Sequence, residues 1–180
     1  MNKYKNIILL FVIFIGVACL KKDMNAISGS ISLIVTSNVR CQFDPCGWKK
    51  NPIGGLPRRL KYISSERLTG KNPILLDAGE ALFESTSILK PNLKSSKYKA
   101  RAMIKGYEVI GYDAVNVGGY DLAAGYKFLR SIADSTTIPF LSANLVDKET
   151  REKVFEPYVI IDQPPYRIGV IGVTNLLPQN

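Results

Sequence analysis

The sequence has no histidine among its 180 residues. Histidine is the commonest general base near neutral pH and the commonest metal ligand. Its absence excludes a Ser-His-Asp or Cys-His nucleophile and an imidazole-bearing zinc site formed by this chain alone. Acidic residues are also few, with 15 Asp and Glu against 24 Lys and Arg, so the formal net charge is +9. Aromatic residues do not interleave with the basic ones, which argues against a nucleic-acid partner.

The amino terminus lacks an apolar run of the ~20 residues that a membrane-spanning helix requires. Met1 to Asn6 carry Lys3 and Lys5, and residues 7–18 contain no charge. A basic start followed by a short apolar run is typical of a secretory signal. The small residues Gly16-Val17-Ala18 before Cys19 resemble a bacterial lipoprotein lipobox.

This pattern predicts three segments. Residues 1–18 form a lipoprotein signal peptide, residues 19–30 a lipidated Cys19 with its tether, and residues 31–180 the folded domain. The protein is then held on the bacterial cell envelope by membrane lipid attached at Cys19. The alternative interpretation is an uncleaved signal anchor in which Cys19 is incidental.

Strand and helix patterns alternate along the folded domain. Strands are predicted at 31–37, 73–77, 113–117 and 138–143, and a pair of strands at 154–161 and 167–173. Helices are predicted after Gly55, around 100–107 and over 122–133. The alternation indicates an α/β fold with a mostly parallel sheet covered on both faces. Functional loops in such folds lie at the carboxyl ends of the strands.

Four motifs follow one another in an order that carries a family resemblance. They are Gly54-Gly55-Leu56 with Arg58, Leu75-Leu76-Asp77-Ala78-Gly79, Gly111-Tyr112-Asp113-Ala114 and Leu141-Ser142-Ala143-Asn144. From about Ile31 to Asn175 the chain resembles the amino-terminal part of the bacterial 5′-nucleotidase and cyclic-phosphodiesterase branch of the calcineurin-like metallophosphoesterases. The resemblance implies a four-layer αββα sandwich, of which this chain supplies about the first half.

The resemblance also implies two divalent metals as cofactors, which polarise a phosphate ester and activate water. The positions that match the family's metal motifs are degenerate here: they carry Asn38, Arg40, Glu80, Gly119, Tyr120 and Asp121. Arg40 places a fixed cation where a metal belongs. We therefore expect no metal cofactor, no catalytic residues and no phosphoester hydrolysis by this chain alone.

The carboxylates near these positions each have an ordinary structural interpretation. Asp121 is predicted to cap the helix that follows it, and Glu80 to be a solvated loop carboxylate. Together the two side chains can also hold a cation weakly, although two carboxylates make a poor transition-metal site. Asp77 is predicted to orient the turn after its strand.

Cys41 and Cys46 lie in the loop after the first strand. Nearby cysteines in an exported protein usually form a disulfide, which would rigidify the loop. A redox-active or thiol-handling pair and a metal-binding pair remain as alternatives.

Three hypotheses for function follow. The first is an envelope lipoprotein with a non-catalytic phosphoesterase-like domain that acts in binding or assembly, with a protein partner covering an apolar sheet face. The second is the amino-terminal fragment of a metal-dependent phosphoester hydrolase. The third is a thiol-active envelope protein that uses Cys41 and Cys46.

Lipid attachment at Cys19 is directly testable. Cells expressing the full chain are labelled with palmitate, and we expect the label in the wild-type protein and none in Cys19→Ser, because acylation requires the thiol. Cys46→Ser serves as the control and keeps the label. Equal labelling of the wild type and Cys19→Ser would contradict the prediction.

Overall fold

The computed structural model describes residues 29–47 and 53–175. The predicted signal peptide, Cys19 and the tether up to residue 28 lie outside this part. Within the described residues, the model contains no helix with the length and apolar character needed to cross a membrane. The strands and helices of the described residues lie in the compact unit that begins at Ile31.

Four short strands form a parallel sheet, as the sequence predicts. They are β1 (Leu33–Thr36), β2 (Ile74–Asp77), β3 (Ala114–Asn116) and β4 (Phe140–Leu141), and they lie side by side in chain order. Because each strand is parallel to the next, all four carboxyl ends meet at one edge of the sheet.

Three helices connect these strands. They are α1 (Leu56–Leu68), α2 (Leu93–Ile110) and α3 (Tyr126–Ala133). The predicted stripe Ala100, Met103, Ile104 and Tyr107 is fully buried along α2. Ile63 of α1 and Leu129 of α3 join the same hydrophobic core, together with Leu75 and Val115 of the sheet. The helices thus share one core on one face of the sheet.

The helices α1, α2 and α3 cover only one face of the sheet, so the prediction that both faces are covered is wrong. The side chains of Leu33 and Val35 alternate toward the opposite face, and they are 55% and 53% exposed. A cavity of about 300 Å³ lies on this face between the sheet and residues 170–173. Consecutive right-handed crossovers in one direction place every helix on the same side, so α1, α2 and α3 leave this face without a helical layer.

The last two strands form an antiparallel hairpin, β5 (Tyr158–Gln163) and β6 (Tyr166–Ile171). It contacts the end of the parallel sheet through backbone hydrogen bonds. The Ser142 amide donates to Glu156, and the Ala143 amide donates to Gly172, both at 2.8 Å.

The helix predicted over 122–133 begins later than expected. A 3-10 turn spans Tyr120–Leu122, and α3 starts only at Tyr126, after Gly125. Leu129 of the predicted stripe is buried, whereas Tyr126 is exposed. The positive φ of Gly125 breaks the helical backbone between the turn and α3, so the two segments do not share a single stripe.

Gly172 is a position where we predict a large effect on stability. A Cβ at Gly172 would lie 2.5 Å from Leu141 Cβ and 2.6 Å from the Leu141 carbonyl, whose backbone cannot easily move. We expect Gly172→Ala to lower the free energy of unfolding by about 1–3 kcal/mol in denaturant titrations.

The matched control is Gly169→Ala in the same hairpin. A Cβ at Gly169 meets Ile160 Cδ1 at 3.6 Å, an ordinary van der Waals contact. Equal destabilisation by the two substitutions would contradict the close approach of Gly172 to β4.

Candidate functional site

Four loops meet at the carboxyl edge of the parallel sheet. They follow β1, β2, β3 and β4, and we call them loop 1 (residues 37–41), loop 2 (78–83), loop 3 (117–121) and loop 4 (142–145). The degenerate positions predicted from the sequence all lie in loops 1, 2 and 3. The structure therefore brings these positions to one edge, as the strand order requires.

Loop 1 lies along loop 2 through backbone hydrogen bonds. The Arg40 amide donates to the Glu80 carbonyl at 2.9 Å, and the Cys41 amide donates to the Ala81 carbonyl at 2.8 Å. These bonds continue the pairing of β1 with β2 beyond the strands. They fix the backbone at Arg40 and Glu80, and therefore the points from which these two side chains extend.

Both loops contain residues in the left-handed region of backbone conformation. Asn38, Arg40 and Cys41 have φ of 52°, 50° and 59°, and Glu80 has φ of 63°. Such conformations are costly for residues other than glycine and cluster at functional sites. Four of the five non-glycine residues with positive φ in the described part of the chain belong to this edge.

Asp121 joins loops 2 and 3. Its Oδ2 accepts from the Gly118 amide at 2.8 Å and the Glu80 amide at 3.0 Å, and its Oδ1 accepts from the Leu82 amide at 2.9 Å. The side chain is 1% exposed. The prediction that Asp121 caps a helix is wrong, because α3 starts five residues later and its first turn receives no side-chain hydrogen bond.

Loops 2 and 3 approach closely because Gly118 has no side chain. A Cβ there would collide with the Glu80 amide nitrogen and would lie 2.7 Å from Glu80 Cγ. Any larger residue would push the loops apart and lengthen the hydrogen bonds that Asp121 accepts. Glu80 itself is half-buried, so the prediction of a fully solvated carboxylate is only partly correct.

Asp77 has the role predicted for it. Its Oδ1 accepts from the Gly79 amide at 2.8 Å, which orients the turn after β2. Its Oδ2 accepts from the Tyr107 hydroxyl at 2.7 Å and from the Thr36 hydroxyl. Burial raises the pKa of Asp77 despite these donors. The side chain is fully engaged inside the core.

Arg40 and Tyr120 face each other across the edge. The Arg40 Cζ lies 5.1 Å from the centroid of the Tyr120 ring, within the range of a cation–π interaction. By resemblance, Arg40 stands at the histidine of the family's first metal motif and Tyr120 at the histidine of its third. The arrangement places a permanent cation and an aromatic face where the resemblance implies imidazoles.

The described residues do not fit a pair of divalent metals. No group of three or more His, Cys, Asp or Glu side chains within this part of the chain can hold a metal ion. Both oxygens of Asp121 are already occupied by backbone donors, which leaves Glu80 as the free carboxylate among the degenerate positions. Gly119 contributes no side chain, and the Arg40 charge opposes a nearby cation.

Cys41 and Cys46 are free cysteines in the structure, Cys41 half-buried and Cys46 exposed. The structure thus contains no disulfide between them, and their pairing in the envelope stays a prediction. Burial raises the pKa of the Cys41 thiol to about 11. A thiol with so high a pKa is a weak nucleophile near neutral pH. Cys46 instead forms a backbone bridge with Ile53, with both N–O distances at 2.8 Å.

Two cavities lie beside loop 1. One of about 450 Å³ runs along loop 2 and the start of α2, and one of about 670 Å³ lies beside residues 40–45. Both are lined by Cys41, Glu84 and Lys99. The loop edge therefore contains cavities that are lined by both acidic and basic side chains and lie next to the degenerate positions.

Sequence reasoning missed Thr174, which follows β6 and organises loop 4. Its amide donates to Asn144 Oδ1 and its carbonyl accepts from Asn144 Nδ2, both at 2.8 Å. Its hydroxyl lies 2.7 Å from Ser142 Oγ and donates to the Val117 carbonyl at 2.7 Å. The feature of the sequence that could have identified Thr174 is its polar side chain at the end of an otherwise apolar strand pattern.

Curated relatives share sequence with this chain. Protein UshA of Yersinia enterocolitica serotype O:8 is 30% identical over 105 residues, which cover 58% of this chain and 18% of the relative. A 5′-nucleotidase of Vibrio cholerae serotype O1 is 33% identical over the same length and coverage. This chain is a homologue of the bacterial 5′-nucleotidases. The resemblance predicted from the motifs is confirmed.

Further comparisons agree with this homology. A 2′,3′-cyclic-nucleotide 2′-phosphodiesterase/3′-nucleotidase of Yersinia enterocolitica is 27% identical over 130 residues, which cover 66% of the chain. The 5′-nucleotidase precursor of Thermus thermophilus superposes with a TM-score of 0.62 at 24% identity, covering 80% of the chain and 28% of that structure. The calcineurin-like phosphoesterase YfkN of Bacillus subtilis gives 0.59 at 21% identity, covering 80% and 48%. The α/β fold predicted from the sequence is confirmed.

No protein-family model matches the chain. The segment shared with the 5′-nucleotidases spans about a fifth of their length.

Asp121 makes a prediction about the pH dependence of stability. Burial raises its pKa from 3.8 to about 6 in the folded protein. Between about pH 4 and 6 the folded protein therefore retains a proton that the unfolded chain releases, so this carboxyl makes stability fall as pH rises through that window. We expect the difference in unfolding free energy between wild type and Asp121→Asn to fall by on the order of 1–3 kcal/mol from pH 4 to 6, and to be flat above.

Asp44→Asn, at an exposed carboxyl of loop residues 42–46, is the control for this titration. It controls for the loss of one negative charge at an exposed position. A difference between wild type and Asp121→Asn that does not vary with pH would contradict the raised pKa of Asp121.

Proposed function

We propose that this chain is a non-catalytic 5′-nucleotidase-like domain that is held on the bacterial cell envelope by lipid at Cys19. Its role is binding or assembly and not metal-dependent hydrolysis. Among its homologues are proteins named 5′-nucleotidase, and its fold is that of calcineurin-like phosphoesterases. On this proposal, the chain retains the scaffold of its homologues and lacks their metal-binding donors.

The observation that carries the proposal is the contact between Arg40 and Tyr120. The guanidinium lies 5.1 Å from the ring centroid, at positions that match histidines of the family's metal motifs in the resemblance. A cation there repels Mn²⁺ or Mg²⁺ and attracts anions instead. The edge is therefore suited to bind an anionic group without activating water to attack it.

Assembly with a protein partner is supported by the uncovered sheet face. Leu33 and Val35 of β1 are more than half exposed, and Ile171 and Val173 of the β6 end are 69% and 62% exposed. Val35, Ile171 and Val173 line the 300 Å³ cavity between the sheet and the hairpin end. An apolar surface of this kind usually marks an interaction site. A partner that supplies a second apolar layer would cover it.

A second candidate function is favoured by the coverage of the relatives. The segment shared with the curated 5′-nucleotidases is about a fifth of their length, and 28% of the Thermus thermophilus structure is matched. On this alternative, the chain is the amino-terminal part of a longer phosphoester hydrolase whose remaining ligands lie elsewhere. Reading the nucleotide sequence downstream of the Asn180 codon decides between the two, since a histidine-bearing continuation would support the hydrolase.

The third hypothesis, a thiol-active protein, has less support. Burial keeps Cys41 protonated near neutral pH, so this residue is a poor attacking thiol. Cys46 is exposed and forms no disulfide with Cys41 in the structure.

We predict that the full chain does not hydrolyse phosphate esters. The substrates are bis-p-nitrophenyl phosphate, AMP and a cyclic nucleotide, each with millimolar Mn²⁺ or Mg²⁺. We expect no turnover above the metal-only blank, because the described donors cannot hold two cations and a water together.

Glu80→Ala and Glu84→Ala distinguish a working site from a contaminant. Turnover that disappears in Glu80→Ala but persists in Glu84→Ala would contradict the proposal and assign Glu80 to a working metal site. Any turnover that is the same in wild type and both variants comes from a contaminating phosphatase.

A further inference from the structure

The outer surface of α1 and α2 is strongly basic. Between Lys90 and Lys105 the sequence contains six basic residues and no acidic one. Five of these side chains are exposed, and four of the five, Lys90, Lys94, Arg101 and Lys105, follow one another at intervals of four, seven and four positions along the turn before α2 and α2 itself. Tyr98, four residues after Lys94, lies on the same stripe because residues three and four apart share a helix face.

Exposed apolar side chains lie among these charges. Leu89 and Tyr98 are each 76% exposed, and Val109, four residues after Lys105, is 73% exposed. Beside Val109 a cavity of about 370 Å³ runs between α1 and α2, lined almost entirely by apolar atoms of residues such as Leu56 and Leu60. Basic side chains combined with exposed aromatic and aliphatic ones are typical of surfaces that lie in a membrane interface.

The two helices neutralise only part of this charge themselves. Glu66 in α1 and Glu108 in α2 are their only acidic residues, and they pair with Lys71 and Lys105 respectively. Lys90, Lys94 and Arg101 form no ion pair within the described part of the chain. Lys97 Nζ and Arg101 Cζ lie 5.0 and 4.7 Å from the ring centroid of Phe128 of α3. The ring positions these two cations but leaves their charge uncompensated.

We propose that this surface, which we call the basic helical face (exposed parts of residues 58–61 and 89–109), docks on an anionic phospholipid membrane. The inference rests on the proposed anchoring at the envelope, which holds the domain next to lipid. Each basic residue close to an anionic bilayer strengthens the association by about fivefold. Leu89, Tyr98 and Val109 can enter the headgroup region between the lysines. Docking therefore fixes the domain with its helices against the bilayer.

The experiment reports contact between Tyr98 and lipid. The full chain with Tyr98→Trp, in a Trp48→Phe background, is incorporated into nanodiscs whose phosphatidylcholine carries brominated acyl chains. We expect quenching of the introduced indole only when phosphatidylglycerol is added. We also expect ~1 M salt to abolish the quenching, since the screening length is then about 3 Å.

Charge variants test which surface is responsible. Lys90→Gln, Lys94→Gln and Arg101→Gln together should lower the ratio of docked to undocked protein at least tenfold. The matched control, Lys148→Gln, Arg151→Gln and Lys153→Gln, removes the same charge from exposed positions outside the basic helical face. The control should leave the ratio within about twofold, and unchanged thermal melts of both triple variants establish that they are folded.

The outcomes separate docking from anchoring. If the wild-type chain does not stay bound to neutral nanodiscs, the lipid anchor is contradicted. Docking is then tested by sedimentation with phosphatidylglycerol vesicles, where the triple variant of Lys90, Lys94 and Arg101 must again bind at least tenfold less than the wild type. Absence of phosphatidylglycerol-dependent quenching or sedimentation in the wild type overturns the docking proposal. So does an equal loss in the two triple variants, which would indicate an effect of net charge alone. Capture of the face by an acidic protein would leave the indole unquenched by lipid and would also overturn it.

Discussion

The arrangement of the loop edge depends on one buried carboxylate. Asp121 accepts hydrogen bonds from three backbone amides, two in loop 2 and one in loop 3. Without an acceptor these buried donors would each cost free energy comparable to a lost hydrogen bond. The carboxylate therefore sets the distance between the two loops, and Gly118 permits that distance. Through the bonds from loop 1 to loop 2, the position of Arg40 also depends on it.

Contacts within the chain hold the three loops together at the edge. The Asp121 carboxylate with its backbone amides holds loop 2 to loop 3, and the Arg40 guanidinium with the Tyr120 ring joins loop 1 to loop 3. By the resemblance, these loops would instead carry the ligands of two shared metal ions. Their shape here depends on bonds within the chain and includes the positive φ of Asn38, Arg40 and Glu80.

Much of the fold follows from local sequence patterns. The stripe of Ala100, Met103, Ile104 and Tyr107 predicts α2 correctly, because apolar residues at helical spacing over about two turns are a strong signal. The role of Asp121 could not be predicted from the sequence. An aspartate before an apolar run has the same local pattern whether it caps a helix or accepts hydrogen bonds from the backbone amides of a distant loop. Its partners Glu80 and Leu82 are some forty residues away, and only the tertiary structure brings them together.

The location of the candidate site could be predicted, but its contacts could not. Parallel strands place their carboxyl ends at one edge whatever the side chains are, so Arg40, Glu80 and Tyr120 had to lie near one another. The spacing of residues along the chain does not predict the direction of the backbone in these loops. It therefore predicts neither the contact of Arg40 with the Tyr120 ring nor the two hydrogen bonds between Asn144 and Thr174.

The position of β1 has a practical consequence for work with the isolated protein. Within the described residues, β1 pairs only with β2 and presents Leu33 and Val35 on the face that α1, α2 and α3 leave uncovered. An unpaired strand edge next to an apolar face is a template for intermolecular pairing. Concentrated samples should therefore self-associate through β1, and Val35→Lys is the substitution that this geometry recommends for keeping the domain monodisperse.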